Sequence, residues 1–236
     1  MRIFIKILLI ICFSVSSYCF AKNMQIRVGS TFDYPPLTYT ESDIYIGRDI
    51  KIIKDFAKSN NIDIVFIKTT WPNLNQDLIN HKFDIAVGGI SINDTRQKLF
   101  LFSSPISQTK KAALILCENI TKFKTLASIN NPMTNIVENK GGTNETFAKS
   151  TTPNANIIIV QNNILPFKYL LNKTADIMFT DDIEINYKHT QDQRFCHALV
   201  NVNSPVASKV FLFNKTPSGE KLQHQFNAWW INNQTK

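Results

Sequence analysis

Three acidic residues that could move a proton lie together. Asp181, Asp182 and Glu184 follow an apolar run in the segment KTADIMFTDDIE, residues 173–184. A free glutamate ionises near pH ~4.3, so Glu184 serves as an acid near neutrality only if burial or neighbouring negative charge favours its carboxyl form. Asp181 and Asp182 are placed to supply that charge. The three-residue step from Asp181 to Glu184 equally fits a helix start, where a carboxylate merely satisfies a backbone amide. Spacing does not choose between the two.

The cations are scattered. Arg96 stands just past a turn at Ser91–Asn93; a guanidinium there suits a bidentate carboxylate, and it equally suits a solvated helix start. Lys111, with Lys110 as its alternative, is either an anion ligand or half of a solvated pair at a hinge. Asn139, Thr143 and Asn144 surround Gly141 and Gly142, where backbone amides opening a helix favour an anion and where an ordinary capped turn also fits. Trp71 can wall a cleft or fill a core. Asp33 and Tyr34, in the first loop, are further cleft candidates. The four histidines show no metal-ligand spacing.

The elements that must hold these residues alternate. Short β-branched runs at 25–29, 62–67, 83–87, 135–138, 157–160, 176–179 and 209–213 are separated by helical patterns at 49–59, 74–79, 123–129, 165–171 and 219–230. That alternation predicts an α/β architecture with mainly parallel strands, whose ligands bind beyond the strands' carboxyl ends. The pattern restarts after an extended segment at 111–117. Two similar units with a cleft between them follow, with lobe 1 at 22–112 plus 207–236 and lobe 2 at 113–206.

The 236 residues are 44% hydrophobic and 19% charged, which excludes disordered and fibrous classes. Residues 1–21 place Arg2 and Lys6 before an apolar run that is too short for a membrane span and ends at Ala21, the order of a cleaved secretory signal. The net charge of +8 stays positive after Arg2 and Lys6 leave, which suits anionic small molecules better than nucleic acid, because the basic residues are dispersed. No later apolar span can cross a membrane. Cys117 and Cys196 remain in an oxidising compartment, either as one disulfide or as two separate buried thiols.

The segments GSTFDYPPLTY (29–39), FDIAVGGISINDTR (83–96), NKGGTNETFA (139–148) and KTADIMFTDDIE (173–184) fall in an order that resembles the family 3 extracellular solute-binding proteins. More narrowly, TTWPNL near Trp71, GGISIN, GGTNE and the TDxIE pattern ending at Glu184 resemble the cyclohexadienyl dehydratases, which are exported enzymes. The resemblance implies a two-lobed type II periplasmic-binding-protein fold with a ligand cleft between the lobes and a periplasmic location. It implies loss of water and carbon dioxide from prephenate or L-arogenate, with no metal or organic cofactor. The partner is a small dianionic or zwitterionic cyclohexadienyl substrate.

By the same resemblance Glu184 is the acid, and Lys111 and Asn139 act with it. Arg96 and Ser91 hold a substrate carboxylate, Thr143 and Asn144 an anion, Asp181 an amino group, and Asp33 and Trp71 line the cleft. Two departures stand out: Asp182 replaces a commonly small residue, and the chain stops soon after Trp230. The rival expectation is a periplasmic amino-acid receptor of a transporter, which needs Arg96 and Asp181 but no acid.

Overall fold

The structure, a computed structural model, describes residues 24–234, so the signal expected at 1–21 lies outside the described residues. The chain opens with β1 (Met24–Ser30) and a small antiparallel sheet of β2 (Asp33–Tyr34), β3 (Thr38–Glu41) and β4 (Ile44–Ile46). It continues through α1 (Arg48–Ser59), β5 (Ile62–Lys68), α2 (Leu74–Ile79), β6 (Ile85–Ser91), α3 (Asp94–Leu99), β7 (Phe100–Phe102) and β8 (Ser107–Thr109). A second unit follows: β9 (Lys111–Leu116), α4 (Leu126–Ile129), β10 (Asn135–Asn139), α5 (Thr143–Thr151), β11 (Asn156–Val160), α6 (Leu165–Leu171), β12 (Ile177–Asp181), α7 (Asp182–Gln191) and β13 (Phe195–His197). The chain then returns through β14 (Ala207–Asn214) and α8 (Pro217–Ile231).

Each unit is built on one sheet. The first has the order β5-β1-β6-β14-β7, with β8 also on β14; the second has β11-β10-β12-β9-β13. In α1 the residues Ile50, Ile53, Phe56 and Ala57 are buried, as their helical spacing requires. Every residue of β6 is buried, so its composition is nearly continuous rather than alternating. At Gly89, φ is +65° and an added Cβ would lie 2.3 Å from the Tyr34 ring. Glycine there lets Tyr34 close over the end of β6.

The strands are less uniformly parallel than the alternation predicts. β1, β5 and β6 are parallel, as are β10, β11 and β12, whereas β14 runs antiparallel to β6 and β9 runs antiparallel to β12. The reason is connectivity: β9 and β14 are the two strands that carry the chain between the sheets, and each starts at the cleft, where the neighbouring strands end. The returning α8 packs Phe226 against Phe56 and Phe211 of the first unit, with ring centroids 5.3 and 5.1 Å apart. The helix expected from Phe123 begins only at Leu126, because Thr125 caps it, and Phe123 is buried ahead of the cap. Cys117 and Cys196 form a disulfide joining the end of β9 to β13.

Candidate active site

The cleft gathers strand ends. Asn139 closes β10, Asp181 closes β12 and Lys111 opens the antiparallel β9, in register beside Asp181. Thr143 and Asn144 begin α5 immediately after Gly141 and Gly142. Tyr34 and Trp71 reach in from the other lobe, their rings edge-on at 6.0 Å. These residues, together with Asn163, enclose a cavity of about 20 Å³, room for about one water molecule. A wider opening of about 730 Å³ runs alongside, between Thr31, Asp33 and Trp71 of one lobe and Asn162 and Tyr187 of the other.

Asp181 is the electrostatic centre. Lys111 Nζ donates to its Oδ1 at 2.9 Å and Thr109 Oγ1 at 3.2 Å; Lys209 Nζ and the Tyr34 hydroxyl donate to Oδ2. Burial alone would raise this carboxyl, but the two ammonium groups outweigh it and hold Asp181 well below the usual carboxylate range. Burial lowers the Lys209 ammonium to about 8 against the pull of Asp181. Lys111 also donates to Asn144 Oδ1.

Glu184 has the opposite surroundings. It is fully buried, accepting from Asn163 Nδ2 at 2.7 Å and from Thr180 Oγ1 at 2.5 Å. Burial pushes its carboxyl up to about 8, and the negative charge of Asp181 adds to this, against Thr180, Lys188 and Asn163. Neither Asp181 nor Glu184 is engaged in capping α7, so the capping reading does not describe this helix start. Asp182 receives the Ile183 N–H through its side chain and donates its own N–H to Lys110. It therefore does not join the Glu184 pair of hydrogen bonds.

Not every expected residue lines the small cavity. Arg96 is 4% exposed and donates to the Ser91 carbonyl at 2.7 Å and to Asn75 Oδ1 at 3.4 Å, set back from the cavity wall. Among the described residues no carboxylate lies within ion-pair distance of it, and burial lowers its guanidinium to about 10. Ser91 accepts from Lys209 at 2.7 Å. Asp33 accepts from Trp71 Nε1 at 3.2 Å and from the Asn163 N–H at 3.1 Å, which latches one lobe to the other at the cavity's edge.

Sequence reasoning missed Lys209, Asn163, Thr180 and Glu138. Glu138 and Lys209 each carried a faint signal, a charge within an apolar strand. Glu138 is fully buried, accepting from the Phe179 N–H at 2.6 Å, and burial holds its carboxyl well above the ordinary value. Asn163 and Thr180 are uncharged residues in a loop and a strand, and nothing local distinguishes them.

Residues 26–230 match the bacterial extracellular solute-binding proteins, family 3. The chain belongs to this family. Among curated relatives, it is 34% identical over 205 residues to cyclohexadienyl dehydratase of Pseudomonas aeruginosa, covering 86% of this chain and 75% of that protein. Among solved structures it resembles the ancestral amino acid-binding protein AncCDT-1, a precursor of cyclohexadienyl dehydratase, with a TM-score of 0.81, 27% identity and 88% of each chain covered. The L-arginine-bound transporter substrate-binding protein AbpA of Streptococcus pneumoniae also reaches a TM-score of 0.81, at 18% identity and 88% coverage of each chain. The solute-binding fold with its two lobes is therefore common to an enzyme and to receptors. Among the described residues no helix is long and apolar enough to cross a membrane.

Proposed function

We propose that this family 3 protein is an exported cyclohexadienyl dehydratase of the periplasm, converting prephenate to phenylpyruvate, L-arogenate to L-phenylalanine, or both. The observation that carries the reading is a fully buried Glu184 held by Asn163 and Thr180 behind the cavity, where burial raises its carboxyl to about 8, since a receptor that only binds has no use for a proton donor. The likeness to the Pseudomonas aeruginosa enzyme supports it.

Prephenate becomes aromatic when its ring hydroxyl and ring carboxylate leave together. The proton of Glu184 goes to the hydroxyl, the C–O bond breaks and water departs. The bond to the carboxylate breaks as carbon dioxide is released, and its electron pair completes the aromatic ring. Glu184, left as a carboxylate, regains its proton from solvent. Lys111, Asn139 and Gly142 line the cavity, and in this reading they bind and orient the anionic substrate.

Access to the acid depends on Asn163. This residue covers Glu184 Oε1 and is tied to Asp33 of the other lobe. The closed cavity cannot hold a substituted six-membered ring, so the lobes must part to admit substrate. Parting breaks the Asp33 contacts and frees Asn163 to turn away from the acid.

The test is turnover. Purified mature protein given prephenate should form phenylpyruvate, and Glu184→Gln should slow this at least about a hundredfold while remaining folded by circular dichroism. A protein that turns over neither prephenate nor L-arogenate, yet binds an amino acid tightly, is a transport receptor instead.

A further inference from the structure

The ladder between β10 and β12 stops early. β10 pairs with β11 along its whole length, to Asn139↔Val160, and β12 pairs with β9 to Asp181↔Lys111, whereas β10 and β12 pair with each other only at Ile136↔Ile177. Were that register to continue, Glu138 would stand beside Phe179 and Asn139 beside Thr180. The small cavity lies beyond this parting of the strands, lined by Asn139 from β10 and by Asp181 and Lys111 from β12 and its partner β9.

A side chain occupies the parting. The Phe179 N–H donates to Glu138 Oε1 at 2.6 Å, so a carboxyl on β10 takes the donor of β12 where the backbone ladder is missing. Glu138 is fully buried, and its Oε2 has no hydrogen-bond partner among the described residues. An unmet polar atom in the interior is destabilising, and an apolar residue would better suit the run of Ile136 and Val137 that precedes it. Burial holds the carboxyl well above its ordinary value, in its uncharged form. What glutamate supplies here is reach between two strands together with one acceptor.

The residues on either side of the parting serve the acid and the cavity. Thr180, which follows Phe179, donates to Glu184 Oε2 at 2.5 Å and accepts from Asn144 Nδ2 at 3.4 Å. Asn139 follows Glu138. A ladder that ran on would draw Asn139 and Thr180 to the roughly 4.8 Å spacing of paired strands, narrowing the cavity and shifting the hydroxyl that holds the acid.

We propose that Glu138 is a positioning residue whose side chain, inserted between β10 and β12, holds Asn139 away from Thr180 and so sets both the width of the cavity and the placement of Thr180 on Glu184. This deepens the dehydratase reading and rests on it for the consequence to rate, but not for the spacing of the strands.

The experiment pairs crystal structures with steady-state kinetics, using prephenate or L-arogenate, whichever the wild-type protein turns over. Glu138→Ala removes the wedge. The ladder should then run past Ile136↔Ile177, bringing Asn139 and Thr180 about 1 Å or more closer, and kcat should fall at least about tenfold in a protein still folded by circular dichroism, because misplacement on that scale slows the chemistry. Glu138→Gln keeps the length and the acceptor, and should restore the wild-type spacing and bring kcat to within about threefold of wild type. A merely structural role would lower the unfolding midpoint and leave the kcat of the folded protein alone. Glu138→Val takes the place of the alanine variant if that protein does not fold. The inference is overturned if a folded alanine or valine variant keeps the wild-type spacing, if the spacing changes while kcat stays within about threefold, or if Glu138→Gln loses as much rate as the shortened variant. It is also overturned if neither shortened variant folds, which would make Glu138 a support of the sheet. A wild-type protein without turnover fails the dehydratase reading and leaves the strand spacing to decide this inference, whereas efficient turnover with unchanged spacing in Glu138→Ala does the reverse.

Discussion

Asp181 and Glu184 stand three residues apart at the start of one helix, and their surroundings drive their ionisation in opposite directions. Two ammonium groups overcome burial at Asp181, whereas burial prevails at Glu184 and brings it to about 8. The anion of the pair also helps to keep its neighbour neutral. A permanently charged anchor and a carboxyl holding its proton near neutrality thus arise within one turn of α7, the separation of roles that acid catalysis requires.

The first prediction concerns pH and rate. Glu184 must hold its proton to act, so kcat/KM for prephenate should be level below neutrality and fall as pH rises through about 8. Lys209 is also brought to about 8, so the profile of Lys209→Met separates the two groups: persistence of the alkaline limb assigns it to Glu184, and its disappearance assigns it to the lysine. Glu184→Gln should lower kcat by about 10²–10⁴-fold, the usual contribution of a positioned acid.

The same carboxyl makes stability depend on pH. Its ionisation lies at about 8 when folded against 4.5 for the ordinary side chain, so the folded chain holds an extra proton between those values. Its contribution is complete below the lower value and is lost as pH rises through the upper one, at up to about 1.4 kcal/mol per pH unit. Glu138 and Asp49 are raised as well and act in the same sense. The expected signature of Glu184 is therefore the difference between wild-type and Glu184→Gln urea denaturation curves across pH 5–8, with the variant showing the shallower loss. Equal slopes would remove Glu184 from the account.

Asn139 should trade stability against activity. Its Oδ1 is buried without a partner among the described residues, and an unmet acceptor costs about 1–3 kcal/mol. Asn139→Ala should therefore unfold at the wild-type denaturant concentration or higher while kcat/KM for prephenate drops about a hundredfold. A marked loss of stability would show that the side chain holds the cleft together rather than serving the reaction.

Much of this site was legible because its parts end strands. Asn139, Asp181 and Lys111 adjoin apolar runs whose period is plain, and the topology of an α/β sheet brings such ends together. Glu184 was legible in position, although the choice between acid and cap required its contacts with Asn163 and Thr180. Lys209 was not legible as part of the site, because what makes its burial tolerable lies 28 and 118 residues away, at Asp181 and Ser91. The antiparallel course of β9 and β14 was hidden for the same reason, since apolar periodicity reports which face is buried and not which way a neighbour runs.

Reduction of Cys117–Cys196 should separate fold stability from chemistry. The bridge spans 79 residues of sequence and fastens β13, the edge strand of the second sheet, to the end of β9, so its loss should cost about 2–4 kcal/mol of unfolding free energy. It lies at the end of β9 opposite Lys111, with no residue of the cavity attached to it. Thermal unfolding with and without reductant should therefore shift, while kcat/KM at a temperature where both forms are folded stays within twofold.

The Asp33 latch makes the last prediction. Asp33 receives the backbone N–H of Asn163 and the indole N–H of Trp71, and Asn163 in turn covers Glu184. Removing the carboxylate in Asp33→Ala loosens the hold of one lobe on the other, while the Asp33 backbone carbonyl still accepts from Asn163 Nδ2. The closed form should become less populated, read as a larger radius of gyration in small-angle scattering without substrate. KM for prephenate should rise about tenfold through lost closure, with kcat changed less because the acid itself is intact. If kcat falls tenfold instead and KM is unchanged, Asp33 acts by orienting Asn163 on Glu184 during the reaction, and its contact between the lobes is incidental to substrate capture.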